Sequence, residues 1–178
     1  FSPGSVTLTA EDESLTLDFS IIGLTKNNAA ITLDQATIKA GDVTITATAK
    51  DLTLSDLVPK WVTNYIISRA TDFLLSKIPI PLAVMVRGSD ATIDVLGSTI
   101  DSSGHVTIHA DATVDASGKA ISVQTPGSSA LTSFLNSFSA AYSQATASAK
   151  INVTGTELRP VVIQAAGDVN VTSQVKNT

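Results

Sequence analysis

The chain contains no cysteine, so disulfide bonds, thiolate metal sites and cysteine nucleophiles are excluded. Charged residues are also scarce, at 15% of the chain, and the net charge is −5. A surface that binds nucleic acid needs clustered Lys and Arg, whereas the eleven basic residues here are scattered. Nucleic acid is therefore not an expected partner. The first residues also lack the basic and then apolar segments of a signal peptide.

Aromatic residues are rare as well, at 4% of the chain. Most of them lie in two stretches, at residues 54–81 and 128–144, and the remainder of the sequence is rich in aliphatic residues and in threonine. A polar surface built from Thr, Ser, Asn and Gln is typical of an extended β protein. The two aromatic stretches are set apart from it: Trp61, Tyr65 and Phe73 in the first, Phe134, Phe138 and Tyr142 in the second.

A short alternating pattern recurs along the chain. It reads GSVTLTA from Gly4, GDVTITA from Gly41, GHVTIHA from Gly104 and GDVNVTS from Gly167. Aliphatic residues alternate with Thr, Asp or Asn after each glycine, which is the period-two signature of a β-strand with one buried face. Self-similarity of this kind indicates stacked units that cannot bury their apolar faces alone.

Each of the last three copies follows a second shared piece: a short alternating run, a turn and another short run. One unit is thus strand, turn, strand, glycine, strand, and its predicted inward residues include Ile93, Val95, Ile100, Val106 and Ile108. Three strands per coil, stacked on the next coil, form a parallel β-helix. We therefore predict a mainly β fold with Val6, Val43, Val106 and Val169 in one parallel ladder.

Two insertions interrupt the repeat, and helical spacing predicts that both are helices packed on the flank of the β-helix. The first spans about residues 55–78, where Pro59 suits a first helical turn. Its Trp61, Tyr65 and Phe73 are expected to be buried. The second spans about residues 129–144, with Leu131, Leu135, Phe138 and Tyr142 as its apolar stripe. Its polar positions are weak helix formers.

The pattern of AGDVTITATAKD, DATIDVLGSTIDSSGHVTIHA and INVTG followed by AAGDVNVTS resembles the filamentous-haemagglutinin-like β-helical repeats of giant bacterial surface and secreted proteins. The insertion LSDLVPKW, which leads into IPIPLAVMV, is also similar to such exoproteins. The resemblance covers nearly the whole chain. It implies a secreted or cell-surface stalk, often part of an adhesin, and it brings no catalytic residues with it.

Candidate sites are few. His105 and His109, with Thr107 and Asp111, are predicted to form one outward stripe, but the two histidines would lie about 13 Å apart, too far to share a metal ion. Calcium would need several converging oxygens, and the scattered carboxylates favour a solvated acidic face instead. They are Glu11, Asp12, Glu13, Asp90, Asp94, Asp101, Asp111 and Asp115.

Threonine columns would suit ice binding, but an ordinary β-helix surface explains them better. Thr7, Thr44 and Thr107 share one matched position, and Thr9, Thr46 and Thr172 share the next. Asn170 breaks the first column and His109 breaks the second. We therefore predict no catalytic residues, no cofactor and no metal.

Residues 1–178 are expected to be a single β-helix segment of a longer repetitive protein, acting as a non-catalytic structural or interaction stalk of the adhesin type. The alternative is a β-helix that binds or degrades a polysaccharide. A third reading is membrane association through residues 57–77. Expected partners are neighbouring repeats, a glycan or cell-surface ligand, and other copies joined end to end. The expected location is secreted or on the bacterial cell surface.

Overall fold

A computed structural model describes residues 4–16, 22–53, 59, 61, 62, 65, 82–115 and 140–177. These residues form ten strands: β1 (Val6–Thr16), β2 (Ile22–Asp34), β3 (Thr37–Ala40), β4 (Val43–Thr53), β5 (Leu82–Leu96), β6 (Thr99–Ser102), β7 (Val106–Val114), β8 (Ala140–Thr154), β9 (Val162–Ala165) and β10 (Val169–Asn177). The prediction of a mainly β fold is confirmed for this part of the chain.

The strands form three sheets, and the chain visits the sheets in a fixed order. Sheet A has the order β1-β4-β7-β10, sheet B has β2-β5-β8, and sheet C has β3-β6-β9. Every pairing within them is parallel. Each strand thus pairs with the strand three places later, so one pass through sheets A, B and C adds one layer to all three. The predicted parallel pairing is confirmed.

The predicted valine ladder is confirmed in its register. Val6 pairs with Val43, Val43 with Val106, and Val106 with Val169. The offsets between these residues equal those between the repeat glycines, because each valine lies two residues after its glycine. The extra residues of the later layers lie between sheets A and B. The described part of the chain leaves sheet A at Thr53 and returns at Leu82 of sheet B.

One hydrophobic core lies between the three sheets. Side chains along β7 alternate strictly between buried and partly exposed, and the core combines residues of β2 to β7. Because the inward residues of each layer stack on the same kind of residue in the next, aliphatic surface is removed from water along the whole ladder. All five predicted inward residues are fully buried: Ile93, Val95, Ile100, Val106 and Ile108.

The repeat glycine is required by close stacking of one turn on the next. The amide of Gly104 donates to the carbonyl of Gly41 at 2.7 Å, and that of Gly167 donates to the carbonyl of Gly104 at 2.8 Å. A Cβ at Gly104 would lie 2.8 Å from the Gly41 carbonyl oxygen and would collide with the Asp42 carboxylate. The turn therefore has no room for a side chain where another layer lies beneath it.

Gly104→Ala is accordingly expected to destabilise the protein by about 1–3 kcal/mol, because the added methyl group must displace backbone. Gly4→Ala is the matched control, since it has the same place in the repeat and a Cβ there would meet nothing within 4 Å. Urea unfolding of both variants measures the difference. Equal stability of the two would contradict the stacked-turn explanation.

The predicted second helix is wrong at its C-terminal end. Residues 140–144 belong to β8, where Ala140 pairs with Leu82 and Gln144 with Val86. The four-residue spacing of Phe138 and Tyr142 is typical of a helix, but β5 offers a complete edge of backbone donors and acceptors that β8 satisfies. Residues 129–139 lie outside the described part of the chain.

The first predicted insertion is described only at Pro59, Trp61, Val62 and Tyr65. These few residues do not establish a helix. The rest of residues 55–78, including Phe73, lies outside the described part of the chain. The expected burial of the two rings is wrong. Trp61 is 74% exposed and Tyr65 is 63% exposed. Within the described residues, no helix has the length and apolarity needed to cross a membrane.

Candidate functional site

The two histidines occupy different structural positions. His109 lies on the outer face of β7, where its Nδ1 is 2.8 Å from the hydroxyl of Thr172. His105 lies in the turn before β7 and not in the predicted stripe with Thr107 and Asp111. Its amide donates to Asp42 Oδ1 at 2.8 Å, and its Nδ1 accepts from the amide of Asp168 at 3.0 Å. Each histidine thus links neighbouring layers, and the two are not brought together.

The predicted acidic residues are spread over all three sheets. On β5, Asp90 lies 3.9 Å from Lys26 Nζ, and Asp94 accepts from Asn152 at 2.7 Å. Asp101 lies on sheet C and Asp111 on sheet A. Nowhere in the described ranges do three or more His, Cys, Asp or Glu side chains form a group that could hold a metal ion.

The acidic run at the end of β1 is divided between the two faces of its strand. Asp12 accepts a hydrogen bond from the amide of Asn28 at 2.7 Å, which joins β1 to β2. Glu13 lies 3.4 Å from Lys50 on the outer face of the neighbouring strand. Glu11 is exposed. These three carboxylates therefore do not converge on one point.

The predicted threonine columns are present in sheet A at each position where the repeat has threonine. Thr7, Thr44 and Thr107 are consecutive partners in sheet A, as are Thr9 and Thr46. Asn170 follows Thr107 in the first column, and His109 separates Thr46 from Thr172 in the second. The outer face of sheet A thus carries threonine columns beside charged side chains, among them Glu13, Lys50 and Asp111.

A buried ionic cluster was not anticipated from the sequence. Arg87 of β5 is 1% exposed, and its Nε lies 3.5 Å from Asp51 Oδ2 of β4. Its Nη1 lies 3.8 Å from Asp115 Oδ2 and donates to the Asp115 carbonyl at 3.3 Å. One guanidinium therefore joins the end of β4 and the end of β7 to the beginning of β5.

Further polar side chains complete this cluster. Ser14 and Thr25 donate to the two oxygens of Asp51 at 3.3 and 3.4 Å. Asn27 is buried and donates to the Lys50 carbonyl at 2.7 Å. The interior is thus polar at the corner between sheets A and B and aliphatic along the ladders, and Ser98 and Ser102 are buried at the other corners. Such a cluster fixes the geometry of this corner. The charge of Arg87 is paired with Asp51 and Asp115 inside the cluster.

The last layer of strands presents apolar side chains to solvent. Val169, Val171 and Val175 of β10 are 46%, 48% and 51% exposed, and Val153 of β8 is 49% exposed. Their register partners Val106, Ile108, Ala112 and Val95 are fully buried. Among the described residues, these valines are therefore inward positions that no further layer covers.

Comparisons of the chain with protein-family models, with curated proteins and with solved structures found no match.

Proposed function

We propose that the strands form a parallel β-helix and that the chain is a structural and interaction segment of a large secreted or cell-surface protein, of the adhesin-stalk type. Three sheets that each gain one strand per pass support the first part. The likeness of the repeats to bacterial filamentous-haemagglutinin-like sequences supports the second.

The observation that carries the proposal is the unbroken register of the ladders. Val6, Val43, Val106 and Val169 stack without a shift although insertions separate the layers. A fold that keeps its register in this way adds length at a constant cross-section. Its outer face then offers hydroxyl, amide and charged groups to a glycan or another surface ligand.

The experiment that tests this function is a turnover assay on neutral and acidic polysaccharides. Purified protein is incubated with each polysaccharide, and released reducing ends and unsaturated uronates are measured. We expect no product above a heat-denatured control. A parallel pull-down on the insoluble polysaccharides measures binding separately, and binding without product is compatible with the proposal. Product that grows with protein concentration would overturn the proposal in favour of a polysaccharide-degrading β-helix.

A further inference from the structure

The turns that lead from sheet C back into sheet A stack on one another and share one polar feature. We call them the return turns; they lie at residues 41–42, 104–105 and 167–168. Each consists of the repeat glycine and a polar residue after it: Asp42 in the first, His105 in the second and Asp168 in the third. The glycine amide of the second and third turns donates to the glycine carbonyl of the turn before.

The polar side chain of one return turn accepts the backbone amide at the same position of the next. Asp42 Oδ1 accepts from the amide of His105 at 2.8 Å, and His105 Nδ1 accepts from the amide of Asp168 at 3.0 Å. A Cβ at Gly104 would collide with the Asp42 carboxylate, and one at Gly167 would lie 2.7 Å from the His105 ring. The carboxylate and the imidazole therefore fill the same place in successive turns.

The two acceptors differ in how they respond to pH. An ionised carboxylate only accepts hydrogen bonds, whereas an imidazole nitrogen accepts only while it carries no proton. The partner of His105 Nδ1 is a backbone N–H, which can only donate. Histidine is the side chain whose charge ordinarily changes between about pH 5 and pH 8. The contact between the second and third return turns is thus made by the neutral ring and lost when Nδ1 gains a proton.

Charged groups of both neighbouring turns face His105. Asp168 Oδ2 lies 3.8 Å from Nδ1, so the protonated ring has a new partner close to the amide that it releases. Asp42 lies in the turn before and already accepts the amide of His105. In its own layer, Asp101 and His109 are each four residues away along the chain. Because the His105 side chain is 62% exposed, the ring can change partners without displacing the core.

We propose that His105 is a pH-responsive contact between stacked turns. The neutral ring carries its proton on Nε2 and accepts the Asp168 amide through Nδ1; the protonated ring releases that amide and pairs with the Asp168 carboxylate. The amide contact is therefore present above the pH range in which the ring titrates and absent below it. Acidification loosens the turn that precedes β10 and leaves the Asp42 contact in place. The proposal does not depend on the stalk function.

His109 provides a comparison within the same strand. Its Nδ1 is 2.8 Å from the hydroxyl of Thr172, which is also 63 residues later in the chain. A hydroxyl can both donate and accept, so it donates to the neutral ring and accepts from the protonated one. Protonation of His109 therefore keeps its contact with β10, whereas protonation of His105 does not.

The test is an NMR titration of the full, ¹⁵N-labelled chain from about pH 8 to about pH 5. Ring spectra at high pH should show His105 with its proton on Nε2. As the ring titrates, the Asp168 amide resonance should move with it. The hydrogen-exchange protection factor of this amide should fall about threefold to tenfold, as expected for the loss of one hydrogen bond. The amide of His105, which Asp42 holds, should keep its protection over the same range.

Three variants separate the cause from its surroundings. His105→Asn supplies an uncharged acceptor in place of the ring, so the Asp168 amide should stay protected at every pH in the range. His109→Asn is the matched control and should keep the wild-type response. Asp168→Asn keeps the amide and removes the carboxylate. Its amide should still respond, because the response arises from the loss of the ring as acceptor.

The wild-type titration decides the proposal even if a variant does not fold. A neutral His105 with its proton on Nδ1 would overturn it, and so would an Asp168 amide that is unchanged while the ring titrates. Retention of the full response in His105→Asn would assign the effect to another titrating group and would also overturn it.

Discussion

Arg87→Ala is expected to destabilise the protein by about 3–5 kcal/mol, because it removes one partner of a buried ion pair and leaves the other charge without compensation. Arg87 and Asp51 have side chains that are 1% and 0% exposed, and their charged atoms are 3.5 Å apart. Such a loss is a large share of the 5–15 kcal/mol that folded domains typically have. Chemical denaturation followed by circular dichroism measures it.

Lys26→Ala is the matched control for the effect of burial. Lys26 also pairs with an aspartate of β5, Asp90, but its side chain is 75% exposed and the charged atoms are 3.9 Å apart. Exposed pairs contribute at most about 1 kcal/mol. We therefore expect this variant to unfold close to the wild-type denaturant concentration.

A double-mutant cycle with Asp51→Ala isolates the pair itself. Because Arg87 and Asp51 are in contact, the double variant should be more stable than the sum of the two single losses predicts, by about 0.5–3 kcal/mol. Strict additivity, or an Arg87→Ala variant as stable as Lys26→Ala, would show that the cluster is hydrated and not a buried ionic site.

The ladder could be predicted from sequence because its signal is local and repeated. Glycine followed by an alternating run marks the same place in every layer. The physical reason is that a Cβ on Gly104 or Gly167 would lie only 2.8 or 3.1 Å from the carbonyl oxygen of the preceding turn glycine. The alternation then determines which side chains point inward. Since the pattern recurs, the register between layers follows without any long-range information.

The sequence did not predict the ionic cluster, although the period-two pattern shows that Arg87 points inward. In LAVMVRGSDATIDVL the inward residues Ile93 and Val95 imply, at period two, that Met85, Arg87 and Ser89 also point inward. An arginine at an inward strand position suggests that the strand is interrupted, unless the partners of its charge are known. Those partners, Asp51 and Asp115, come from two other strands, and no local pattern connects them to Arg87.

The start of β8 could not be predicted for a different reason. Residues Ala140–Gln144 include the helix formers Ala and Gln, and the four-residue spacing of Tyr142 from Phe138 also suggests a helix. What makes them a strand is the free edge of β5, whose residues 82–86 pair with them. Tertiary pairing overrides weak local propensity at this place.

Val106→Asp is expected to prevent stable folding. Val106 is fully buried between Val43 and Val169, and an ionised carboxylate there would have no partner and no water. Burial of an isolated charge costs several kcal/mol even after relaxation. Val106→Ala provides a graded version, with an expected loss of about 2–3 kcal/mol for the removed methyl groups and the cavity. Thermal unfolding and the cooperativity of the transition report both effects.

Val169→Asp is the control that separates position in the ladder from residue type. Val169 has the same place in the repeat and is the direct register partner of Val106, but it is 46% exposed. A carboxylate at this position can turn toward water, so the variant should fold and lose at most about 1 kcal/mol, the share of a valine side chain that is removed from water there. Destabilisation that is equally severe in both variants would mean that β10 is covered in solution, and tolerance of both would mean that the valine ladder is not the core. Only the predicted contrast fits a ladder in which Val106 is enclosed and Val169 is partly exposed.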